Sequence, residues 1–125
     1  MSEQINENCG VGFVYNIQDA IHGVRGGLKH RGKDAEGYGT PCNNGINAVR
    51  SYSDLMDAQA LITLLKYESG RPILLHTRYK TRGSSNAEDL LRAAHPHTIG
   101  GNNLYNGNHL ITTNAREAMV HNGTV

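Results

Sequence analysis

The sequence predicts an α+β fold rich in strands, and three observations predict it. Small and apolar residues alternate over Cys9-Gly10-Val11-Gly12-Phe13-Val14-Tyr15, the period of a strand. Two stretches, residues 17–29 and 54–68, carry apolar residues at helical spacing instead. The chain also holds 15 glycines spread along its length without a repeat, which implies many tight turns and close backbone approaches.

Residues 9–15 read as the first strand. In residues 17–29, Ile17, Ala20, Ile21, Val24 and Leu28 share a helical face behind Asn16 as N-cap, and Gly26-Gly27 weaken the far end. The stretch His30-Arg31-Gly32-Lys33-Asp34-Ala35-Glu36-Gly37 is dense in charge and bracketed by glycines, so it predicts a loop leading into a strand at residues 38–40. Pro41 and Asn43-Asn44-Gly45 predict a turn, with residues 46–52 returning as the hairpin partner. Ser53 is placed to cap a helix over residues 54–68, whose apolar side is Leu55, Met56, Leu61, Ile62, Leu64 and Leu65 and which Gly70 ends. After Pro72, Ile73-Leu74-Leu75-His76-Thr77 reads as a short buried strand that delivers Arg78, Tyr79, Lys80, Thr81 and Arg82 to its end, a common way of building a binding site. Residues 87–94 predict a short helix stopped by Pro96, residues 100–108 a polar, turn-rich stretch, and residues 110–112 and 118–121 two strand fragments. A strand followed by Asn122-Gly123-Thr124-Val125 and nothing more leads us to expect a fragment of a longer protein.

The length of 125 residues suits one domain with a real core. A mean hydropathy of −0.50 and the lack of a long apolar run predict no membrane span. Twelve basic against eleven acidic residues, without a basic block, give no electrostatic case for nucleic acid or an anionic membrane. Residues 1–8 have neither a basic start nor an apolar core, so they are no secretory signal. A cytoplasmic protein with Cys9 and Cys42 as reduced thiols is expected.

Four features bear on chemistry. If residues 1–8 were removed, Cys9 would hold a thiol and an α-amine on one residue, a nucleophile with its own base; otherwise it is one more small residue in a strand. Arg78 suits a carboxylate with two parallel hydrogen bonds, or serves as an ordinary surface ion pair. Asn122-Gly123 can be a hairpin turn, or an oxyanion hole in which a side-chain amide and a backbone N–H point at one oxygen. His95-Pro96-His97, with His76, His109 and His121, raises the question of zinc, yet no third ligand stands at diagnostic spacing and we assign no metal. Gly23-Val24-Arg25-Gly26-Gly27 lacks the spacing and ending of a phosphate loop.

Taken together the segments Cys9-Gly10-Val11-Gly12, residues 28–37, residues 76–83 and Val120-His121-Asn122-Gly123 resemble, in order, the class II glutamine amidotransferase domain of the N-terminal nucleophile hydrolases, most closely the amidophosphoribosyltransferase branch. Ala94-His95-Pro96-His97 leans towards the related sugar-phosphate amidotransferases, and His30-Arg31-Gly32 towards the purine enzymes or glutamate synthase. The resemblance implies an αββα sandwich of mainly antiparallel sheets between helical layers, with residues 1–8 a leader and residues 9–125 an incomplete domain. It implies Cys9 as nucleophile, Asn122 and Gly123 as oxyanion hole, Arg78 on the substrate α-carboxylate, His76, Tyr79 and Thr81 in the substrate pocket, and Arg31 and Gly32 near the new terminus. L-Glutamine would be the substrate, no cofactor would sit in this segment, and ammonia would pass to an acceptor, phosphoribosyl pyrophosphate, held by a missing C-terminal domain of a homo-oligomer. These residues alone are then expected to be inactive. The rival expectation is a noncatalytic binding or regulatory relative that keeps its leader, since a blocked Cys9 amine cannot act as a base.

Overall fold

A computed structural model describes residues 9–24, 35–52, 56–78, 88, 91–92 and 94–120. Along them run β1 (Cys9–Val14), α1 (Ile17–His22), β2 (Ala35–Cys42), β3 (Gly45–Tyr52), α2 (Ala58–Leu65), β4 (Ile73–Arg78), β5 (His97–Ile99), β6 (Asn102–Tyr105), β7 (His109–Ala115) and β8 (Glu117–Met119). Six strands form one sheet in the order β1-β4-β2-β3-β7-β6, and β5 pairs with β8 in a two-stranded ribbon. Among the described residues every pairing is antiparallel, and the elements make a mixed, sheet-rich α and β structure.

Alternation along the strands separates the two faces of the large sheet. On the first, Tyr38, Val49, Ile73 and Leu75 pack against Ile17, Ala20 and Val24 from the α1 region and Leu61 and Leu65 from α2, with Met56 closing the cluster. Burying a side chain of this size contributes about 1.5–3 kcal/mol, and this cluster is the main source of stability. On the second face lie Ala35, Gly37, Gly39, Ala48, Arg50, Leu110 and Thr112, with Leu91, Ala94, His95 and Pro96 buried over them. Gly37 makes that cover possible, because a Cβ there would stand 1.7 Å from the His95 carbonyl oxygen. Any other residue would push the 94–97 segment off the sheet.

Both helices start as short polar caps dictate. Asn16 accepts a hydrogen bond from the Asp19 N–H at 2.8 Å, and Asp57 accepts one from Ala60 N–H at 2.8 Å. The second cap corrects the expectation of Ser53: α2 begins after Asp57, and it ends at Lys66, whose left-handed φ of 54° does the work expected of Gly70. The buried Asn47 amide donates to the orphan carbonyl of Leu65 at 3.1 Å and accepts from Asn114 N–H at 3.0 Å, tying the end of α2 to β7.

Three other expectations change. The expected charged loop over residues 30–37 is already strand from Ala35, because Glu36 finds the Tyr38 hydroxyl at 2.8 Å and is buried between β3 and β4. Residues 35–42 run through Pro41, and the hairpin loop is Asn43-Asn44, with the positive φ of 141° falling on Gly45 beside the Ala115 carbonyl. The polar stretch 100–108 contains β6, an exposed edge strand paired with β7. The far end of the first helix, residues 25–29, lies outside the described residues. Among the described residues no helix is long and apolar enough to cross a membrane.

Candidate functional site

Two sequence segments meet where β1 begins and β4 ends. The register pairs Cys9 with Arg78, Gly10 with Thr77 and Val11 with His76. Opposed residues of an antiparallel pair have Cα atoms about 4.5–5.5 Å apart, so a thiol-bearing and a guanidinium-bearing position from distant parts of the chain are neighbours. Arg78 also pairs with Ala35, the first residue of β2, so both positions stand where three strands end together. His76 belongs to the same phase of β4 and is 1% exposed.

Next to this strand end the cover segment stacks its imidazoles. The His76 and His95 rings lie 4.2 Å apart between centroids, and those of His95 and His97 4.1 Å apart. His95 is buried and His97 exposed, so the stack runs from beneath the cover to the surface. The rule that alternate strand residues face one side does not govern His95 and His97, because β5 begins only at His97. Among the described residues no group of three or more His, Cys, Asp or Glu has the geometry to hold a metal.

Of the residues named from sequence, Cys9, Arg78 and His76 are brought together by the β1–β4 register. Tyr79, Thr81, Arg31, Gly32, Asn122 and Gly123 lie outside the described residues. β8 ends at Met119, the register partner of His97, so the strand leading towards Asn122 is paired with the one carrying the last histidine of the stack. Cys42 is a free thiol at the β2–β3 hairpin, 3.5 Å from Asn47 Oδ1.

Sequence reasoning overlooked Arg50, in the middle of β3 and 3% exposed. Its guanidinium donates to the Pro96 carbonyl at 2.7 Å and to the Thr112 hydroxyl, which in turn donates to Asn103 Oδ1 at 2.5 Å. Burial lowers its pKa to about 10, with Arg92 pushing the same way, so it remains charged at neutral pH. The available signal was its phase: Ala48, Arg50 and Tyr52 alternate with Asn47, Val49 and Ser51, and in a central strand both phases are buried.

No family model, curated protein or solved structure matches the chain.

Proposed function

We propose that the chain carries the nucleophile and substrate-carboxylate half of a class II glutamine amidotransferase site, in a cytoplasmic enzyme. The observation that carries the reading is the register of Cys9 against Arg78 at the end of β1 and β4, since acyl transfer from an amino acid needs a nucleophile and a carboxylate anchor within one substrate length. In this mechanism, removal of residues 1–8 frees the Cys9 α-amine, whose ordinary pKa of about 7.7–8.0 suits it to take the thiol proton. The thiolate attacks the side-chain amide carbon of L-glutamine while Arg78 holds the α-carboxylate through paired hydrogen bonds. Negative charge on the carbonyl oxygen is met by the Asn122 amide and the Gly123 N–H. The C–N bond breaks, ammonia leaves with the proton returned by the amine, and water hydrolyses the Cys9 thioester to glutamate. His76, Tyr79 and Thr81 shape the pocket, and Arg31 and Gly32 flank the new terminus. The antiparallel sheets are compatible with an αββα sandwich, and phosphoribosyl pyrophosphate is the acceptor we assign to the ammonia.

The test is made on the full-length protein. Intact mass should show Cys9 as the first residue, and glutamate release should fall to background in Cys9→Ala. Arg78→Ala should lower kcat/KM for glutamine roughly ten- to a hundred-fold, the loss of a hydrogen-bonded charged anchor of about 1.5–3 kcal/mol. Retention of the leader together with no glutamate release would overturn the reading in favour of a noncatalytic binding module.

A further inference from the structure

Among the described residues the Arg50 guanidinium is a buried charge with no carboxylate against it. It donates to two neutral oxygens, and among the described residues its Nε is buried without an acceptor. Buried cations are ordinarily paired, because the cost of desolvation is otherwise left standing. A second guanidinium makes the imbalance greater: Arg92 lies close enough to lower the Arg50 pKa, and its own pairing with Glu88, at 2.5 and 2.8 Å, is at the exposed surface.

Between these two arginines is a cavity of about 180 Å³ lined by Arg50, Arg92, His97, Thr98, Asn103 and Leu110. About 10–15 Å³ suffices for one water, so the space accepts a larger guest. Its polar groups converge from four places in the fold: β3, the helical turn at Leu91 and Arg92, β5 and β6. Asn103 spends its amide oxygen on the Thr112 hydroxyl, which leaves its amide nitrogen as the donor end.

We infer that this cavity is a binding site for a phosphate group, with Arg50 at its floor, Arg92 at its rim, and Asn103, Thr98 and His97 lining it as polar neighbours. A carboxylate, with one charge and two oxygens, is satisfied by one guanidinium fork. A phosphate, with up to two charges and three or more acceptor oxygens, uses both arginines and the surrounding donors. Arg50 is on β3, two strands from Arg78 on β4, and the assignment does not rest on the glutaminase reading.

The test titrates the protein with inorganic phosphate and with glycerol 3-phosphate at constant ionic strength, following ³¹P line broadening and the thermal midpoint, with acetate and chloride as controls. Saturable binding of either phosphate, not reproduced by acetate, is expected. Preference for inorganic phosphate identifies the free ion as ligand, and preference for glycerol 3-phosphate a phosphate monoester. Arg92→Ala, at an exposed side chain that leaves the fold intact, should weaken Kd at least tenfold, and Asn103→Asp, which adds a negative charge to the rim, at least as much. Absence of saturable binding, equal binding of acetate, or unchanged affinity in either variant would overturn the assignment.

Discussion

The two faces of the large sheet solve different problems with the same strands. The helical face is an apolar interior: Tyr38, Val49, Ile73 and Leu75 meet Ile17, Ala20, Leu61 and Leu65, and stability there scales with buried area. The opposite face carries glycines, Arg50 and Thr112 under a short segment containing His95 and Pro96, with Ala35, Leu91, Ala94 and Leu110 as a small apolar cluster among the described residues. The lesson is a division of labour across one sheet: one side is mainly apolar, with the buried Glu36 taken up beside the Tyr38 hydroxyl, and the other encloses the Arg50 cation under a small apolar cover.

That comparison can be broken most forcefully from the helical side. Leu61→Ala should cost about 2–5 kcal/mol of unfolding free energy, read by urea denaturation, while leaving phosphate affinity unchanged below the transition. If affinity fell in step with stability, the two faces would not be separable. Gly37→Ala attacks the other side. Overpacking beneath the His95 carbonyl should cost about 1–3 kcal/mol, and because the 94–97 segment also supplies the Pro96 carbonyl and His97, phosphate binding should be lost as well. Asp57→Ala, which removes the α2 cap, should cost about 1 kcal/mol with no effect on the charged face.

The smallest effect is a pH dependence on the helical side. Burial holds His109 below the usual 6.5, and its Nδ1 lies 3.0 Å from Ser51 Oγ. The unfolded chain therefore takes up that proton more readily than the folded one. This contribution to stability is complete above about pH 6.5 and is lost as pH falls through the folded value. The urea midpoint should decline slightly from pH 7 to pH 5, and His109→Gln should remove that part of the slope.

The sequence made some of this plain and hid the rest for identifiable reasons. The run from Ile73 announces β4 because a strand buried on both faces is apolar throughout, and Asn16 announces α1 because a cap is a local event. Ala35-Glu36-Gly37 gave no such sign: the glycine is demanded by His95 far along the chain, and Glu36 is buried through Tyr38. β6 is concealed by its own exposure, since Asn102 and Asn103 at a sheet edge look like a turn. The motif around Cys9 and that around Arg78 could each be read, but their apposition is a matter of strand register. Arg50 shares the phase of Ala48 and Tyr52, but that phase points to burial only once β3 is known to lie inside the sheet, which no local residue announces.

The order of strands also bears on how the molecule comes to be made. Among the described residues β1 comes first along the chain and lies at an edge of the sheet, and β4 is its partner there. Pairing Cys9 with Arg78 closes a long loop of chain, and such non-local contacts are slow to form because loop-closure entropy is lost before any contact compensates it. The β2–β3 hairpin, joined by Asn43-Asn44, needs no such wait. Assembly should then run from the hairpin outwards to β4 and finish with β1. Cys9 would be among the last positions fixed, and a nascent chain interrupted before Ile73 would have no template on which to set it.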